Sequence, residues 1–174
     1  NQKIPSNPFD NNLKKVQNVN YKFVGYGYIA GCAMLINKEK FQNGKIFDER
    51  FFLYKEETDL IKRCNDNKIE CFMLRDVLIN HIGTDSLDTK KISSLESNAF
   101  RHWHWSWSNF YFYKKHFGFI FAIIKFLRPF LSAIIKSNVY LLINHQKYRI
   151  YKARYSGFLN SMLNKKSNHR MKIN

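Results

Sequence analysis

The residues best suited to chemistry are the acids Glu56, Glu57 and Asp59, gathered in the run Phe51-Phe52-Leu53-Tyr54-Lys55-Glu56-Glu57-Thr58-Asp59-Leu60. Leu60, Ile61 and Cys64 follow at the spacing of one helix face, so the acids fall in a first helical turn with Thr58 or Glu57 near the N-cap. The helix dipole favours negative charge there. A carboxylate held ionised in that position can take the proton of a hydroxyl as its oxygen attacks an anomeric carbon, which is the base step of an inverting sugar transfer. The same three acids, read without context, also serve as solvated N-terminal caps. His81 closes the apolar stretch Val77 to Ile79 and enters a loop containing Gly83, where an imidazole is either structural or a cation ligand. His102 and His104, two residues apart, point away from each other on a helix and match no common metal-ligand spacing.

Positioning these groups requires a strand-and-helix framework. Residues 1–20 are polar, rich in Asn and Lys, and read as loop or linker. Ile29 to Ile36 suits a buried strand, approached through Gly25, Gly27 and Gly31, with small Cys32 and Ala33 allowing close backbone approach to a ligand or neighbouring element. Lys38 to Phe41 predicts a short helical turn closed by Asn43-Gly44. The acidic helix ends at Asn65-Asp66-Asn67, and Ile69 to Leu74 predicts a short strand.

Beyond Asn98 the chain changes character. Residues 98–174 hold 14 Lys and Arg and no acid, whereas all 13 acids of the protein lie in residues 1–97. A block so basic reads as a surface for anionic lipid or nucleic acid. The segment Arg101-His102-Trp103-His104-Trp105 and its aromatic continuation predicts an interfacial aromatic belt. From Phe117 to Ile143 the chain is apolar but interrupted by Lys125, Arg128 and Lys136, too often for a membrane span. Lys125, Arg128, Ser132 and Lys136 share one helical stripe, which predicts a basic amphipathic helix lying in the headgroup plane and kinked at Pro129. Cys32, Cys64 and Cys71 form no CxxC pair and are odd in number, arguing against disulfides and zinc and for a reducing compartment. The chain begins at Asn1 without a charged-then-apolar leader, so no signal peptide is expected in it.

Several motifs in order resemble the family-2 glycosyltransferases of GT-A fold, especially the rhamnosyl- and galactofuranosyltransferase-like branch. These are the small-residue loop Gly31-Cys32-Ala33-Met34-Leu35, the stretch Phe47-Asp48-Glu49-Arg50-Phe51-Phe52, the acidic motif Glu56-Glu57-Thr58-Asp59-Leu60 with Arg63 after it, and His81, Gly83 and Ser86. The resemblance covers about residues 21–115. It implies an α/β fold, the C-terminal part of a GT-A mixed sheet with helices, followed by a basic, aromatic-rich helical tail. In domain terms it implies a linker at 1–20, the acceptor-side part of a glycosyltransferase domain at 21–97, and a membrane-associating tail at 98–174. Glu57 occupies the position of the family's general base, where Asp is usual. Glu56, Asp59, Gly31 and Cys32 match the acceptor site, and His81 matches a ligand of the divalent cation, Mn²⁺ or Mg²⁺, that accompanies the sugar-nucleotide diphosphate.

No Asp-x-Asp motif occurs, so the nucleotide-sugar donor is expected to bind to an N-terminal half upstream of this sequence. The expected partners are that donor, a glycan or lipid-linked acceptor, and an anionic membrane surface, with peripheral placement on the cytoplasmic face. The alternative is a catalytically incomplete membrane-surface binding module. Nucleic-acid binding accounts for the charge but not for the apolar face of the 117–136 helix, and is not expected.

Overall fold

The computed structural model describes residues 14–15, 20–23, 31, 33–41, 44–74, 80 and 94–170. They fall into two compact units, residues 1–48 with 56–82 and residues 49–55 with 83–174.

In the first unit, β1 (Lys14–Lys15), β2 (Asn20–Phe23) and β3 (Cys71–Leu74) form a small sheet in that order. Both pairings are antiparallel, with Lys14 opposite Lys22 and Tyr21 opposite Met73. The one long helix here is α1 (Glu56–Asp66), whose Leu60, Ile61 and Cys64 are buried. Asn67 donates from its side chain to the Arg63 carbonyl at its C-terminal end, and Lys68 then takes a positive φ of 58°. Burial and the neighbouring Cys64 thiol push the Cys71 thiol up to about 12, which leaves it protonated and poorly nucleophilic.

The second unit is three helices, α2 (Ser94–Phe117), α3 (Phe119–Ile143) and α4 (His145–Met162). Gly118 separates the first two at φ 92°, a conformation a side chain would strain. Asn144 ends α3 and starts α4: its backbone N–H donates to the Tyr140 carbonyl, and its side-chain oxygen accepts from the Lys147 N–H at 2.9 Å. Phe110, Ala122, Phe126 and Phe158 make the core where the three helices meet. α2 and α4 approach closely at Gly157, where an added Cβ would lie 3.1 Å from Ser106 Cβ and still nearer the Trp103 carbonyl oxygen.

Two further segments complete this unit. Residues 49–55 are held to α2 by Phe51, tilted against Tyr111 with ring centroids 4.9 Å apart, and by Ser108, whose hydroxyl donates to the Leu53 carbonyl at 2.7 Å. The chain after α4 returns along α2, with Trp107 Nε1 donating to the Lys165 carbonyl at 3.1 Å. Arg170 lies over the Phe52 ring, 3.9 Å from its centroid.

These observations overturn the α/β expectation. The described residues are mostly helical, and the only sheet they form is small and antiparallel, whereas a GT-A mixed sheet needs parallel strands linked by crossovers. The basic residues make up the greater part of a packed helical unit, and Asn98, where the charge changes, lies inside α2. The strand expected over Ile29 to Ile36 does not form among its described members, since residues 34–37 carry no regular structure and Leu35 is fully exposed. The expected linker at 1–20 contributes β1 and the first residue of β2. The aromatic segment of α2 is a core rather than an exposed belt: Trp103 and Trp107 are buried, and only Trp105 is substantially exposed. Hydrophobic burial wins over interfacial preference because α3, α4 and the two flanking segments supply apolar cover for these rings.

Candidate functional site

Glu56 and Glu57 open α1, and Asp59 completes its acidic first turn. The helix begins earlier than a cap at Glu57 or Thr58 would have it; Thr58 is buried inside the first turn. Gly31 comes against Glu57, since a Cβ built on it would lie 3.8 Å from Glu57 Cβ and 4.0 Å from the carboxyl carbon. Two residues singled out from the sequence, 26 positions apart, are thus brought together. These distances are ordinary van der Waals contact, so position 31 packs directly against the Glu57 side chain. One carboxylate oxygen of Glu56 is buried without a hydrogen-bond partner among the described residues.

Asp59 has a different environment. It is fully buried, and Arg63, one turn on, donates to it from Nε at 2.9 Å. The same guanidinium reaches the Ile46 carbonyl through Nη2, so Asp59 anchors an arginine that ties α1 to the preceding loop. Cys32 and His81 lie outside the described residues. Among the described residues no group of three or more His, Cys, Asp or Glu is placed to hold a metal ion.

The helical unit holds a second constellation that sequence reasoning passed over. Asn98, Arg101, His102 and Trp105 share one face of α2, at spacings of three, one and three residues. With Arg154 of α4 and Tyr54 they line a shallow pocket of about 320 Å³. Arg154 Nε donates to His102 Nδ1 at 3.3 Å, which requires the neutral imidazole with its proton on Nε2. Burial, reinforced by the Arg154 charge, holds His102 below the usual histidine range. The signal in the sequence is the helical spacing of a histidine, an arginine and a tryptophan.

His104 faces the opposite way and is fully buried. Its Nε2–H donates to the His169 carbonyl and its Nδ1 accepts from the Ser167 hydroxyl, both at 3.0 Å. Burial pushes it down to about 4.

α3 is apolar on two sides. Ala122, Phe126, Ala133 and Ser137 face the bundle, while Ile120, Ile124, Leu127, Leu131, Ile135, Val139 and Leu142 form a second, exposed stripe at helical spacing. Arg128, Ser132 and Lys136 run beside this stripe, as the spacing predicted. Lys125 instead turns onto the Tyr113 ring of α2, 4.5 Å from its centroid. No helix among the described residues is long and apolar enough to cross a membrane. Comparison of the chain with protein-family models, with curated proteins and with solved structures gives no match.

Proposed function

We propose that this chain is the C-terminal portion of an inverting glycosyltransferase that works against an anionic membrane surface, passing a sugar from a nucleotide-sugar donor to a lipid-linked or cell-surface glycan. The observation that carries the membrane part is the exposed stripe of α3, a helix of 25 residues whose outer face is Ile, Leu and Val throughout. An apolar face of that length in water marks an interaction surface. Its occupant is anionic lipid on the grounds of charge, because no acid stands anywhere in residues 98–174 to repel a negative headgroup, and Arg128 and Lys136 flank the stripe. The free thiols of Cys64 and Cys71 fit the reducing cytoplasmic side.

Vesicle flotation tests this directly. The full chain is expected to float with phosphatidylcholine vesicles containing phosphatidylglycerol, less so as salt is raised. Replacing Ile124 and Leu131 together by Asp is expected to reduce the bound fraction roughly tenfold or more. Both side chains are exposed, so the melting temperature should hold. Unchanged flotation of the double variant would remove the stripe from the reading.

The transfer part rests on Glu57 beside Gly31 at the start of α1. In this reading a Glu57 carboxylate oxygen takes the proton of the acceptor hydroxyl as that oxygen bonds to the anomeric carbon, and the nucleoside diphosphate departs from the opposite face. Glu57→Gln in the full-length enzyme is expected to lower transfer by a factor of about 10² or more, the scale of a lost general base. Undiminished transfer by that variant, with flotation intact, would overturn Glu57 as the base.

A further inference from the structure

We propose that the pocket formed by Arg101, His102, Trp105 and Arg154 binds a phosphoryl group, with the Trp105 ring receiving the sugar or other carbon portion attached to it. The inference does not depend on the glycosyl-transfer reading.

Two guanidiniums line one pocket with no carboxylate among its described lining residues. Arg101 has no hydrogen bond or ion pair among the described residues; Glu96, the sole acid of α2, does not pair with it. Arg154 uses Nε on His102 and stacks on Tyr151, 5.3 Å from the ring centroid, which fixes its fork while both Nη groups have no acceptor among the described residues. A planar fork held in place by packing is suited to bidentate contact with phosphate oxygens. Neutral His102, accepting on Nδ1, keeps an Nε2–H donor, and Asn98 adds a side-chain amide to the lining. Trp105 is 45% exposed in a helix whose other tryptophans are buried, so its ring offers a face for stacking beside the cationic end. The backbone contributes as well. Tyr54, which closes the pocket, has φ 67°, and Lys55 follows at φ 72°. Two consecutive non-glycine residues in the left-handed region carry strain that the surrounding contacts must offset, a condition that concentrates at ligand sites.

The same phosphoryl chemistry is offered by a soluble phosphosugar and by a phospholipid headgroup, and the experiment separates them. Calorimetric titration of the full chain with inorganic pyrophosphate and with glucose 1-phosphate is set beside flotation on vesicles containing phosphatidic acid. The variants are Arg101→Gln, which breaks no hydrogen bond or ion pair among the described residues, and Trp105→Ala, with circular dichroism melts as a check on folding. Arg101→Gln is expected to weaken pyrophosphate binding roughly tenfold or more, the scale of a lost charge-assisted pair. Trp105→Ala is expected to weaken glucose 1-phosphate while sparing pyrophosphate. Loss by Arg101→Gln of phosphatidic acid binding alone would assign the phosphoryl group to lipid, and loss of pyrophosphate binding alone to a soluble ligand. Wild-type affinities for all three probes in a folded Arg101→Gln protein would overturn the proposal.

Discussion

Gly157→Ala is expected to lower the stability of the helical unit by about 2 kcal/mol, although helix propensity alone would raise it by about 1 kcal/mol. Two effects of opposite sign compete at this position. Alanine reduces the backbone entropy lost when α4 forms. Its methyl group would also stand against the Trp103 carbonyl oxygen and 3.1 Å from Ser106 Cβ, where α2 and α4 cross. The first obstacle is backbone, which cannot rotate aside, so the two helices must separate. Separation strips Phe158 and Phe110 of close contacts in the core they share, and a well-packed core resists such changes at about 1–3 kcal/mol. For a chain of this size the melting temperature, followed by far-ultraviolet circular dichroism, should fall by roughly 5 °C. Gly157→Val should fall further, and Leu159→Ala, at an exposed position two residues on, should change little. A Gly157→Ala protein more stable than the wild type would mean that the helices do not meet at this glycine.

The second large effect is on acid stability. His104 titrates near 4 in the folded chain, against 6.5 when exposed. Between these values the unfolded chain binds a proton that the folded chain does not, so stability rises with pH across this interval and is fully present above 6.5. Lowering the pH from 6.5 toward 4 is expected to cost about 3 kcal/mol through this one imidazole. His102 and His169 are shifted in the same direction by burial and by neighbouring arginines, Glu96 opposing the shift at His169, so the observed loss should be somewhat larger. Since His104 bonds both Ser167 and His169, the segment after α4 should detach first. Thermal melts above pH 6.5 and near pH 4 measure the difference, and limited proteolysis of the C-terminal residues reports the detachment. His104→Gln keeps a donor and an acceptor but does not titrate, so it should remove most of the dependence. A full acid loss in that variant would assign the effect to other groups.

The acidic helix, the turn at Lys38–Lys40, the strand at Cys71–Leu74 and the long helix across Pro129 were legible in the sequence, because each has a local cause in dipole, turn chemistry or periodicity. Helical spacing also placed Arg128, Ser132 and Lys136 together. The rest depended on what each element packs against. Trp103, Trp105 and Trp107 look alike as sequence; α4 and the returning C-terminal segment bury two of them and leave the third exposed. Lys125 belongs to the basic stripe by spacing but leaves it for the Tyr113 ring, a partner on another helix. Ile29 to Ile36 has the composition of a strand, but strand formation requires a hydrogen-bonding neighbour, and β3 is paired instead with β2. The sheet type was missed for the same reason, since parallel or antiparallel pairing is a property of two segments and not of either one.

That residues 49–55 belong to the helical unit has a consequence for how the protein is made. Arg50 donates to Asn164 across 114 residues of chain, at 2.6 Å, and Ser108 reaches Leu53 across 55. During synthesis the loop bearing Phe51 and Phe52 leaves the ribosome long before α4 and the segment beyond it exist. Local helices can form as they emerge, and α2 brings Tyr111 to Phe51 and Phe100 to Phe52, but the cation that stacks on Phe52 arrives only when Arg170 has been made. The interval in which Phe52 lacks that contact is therefore set by the rate of translation.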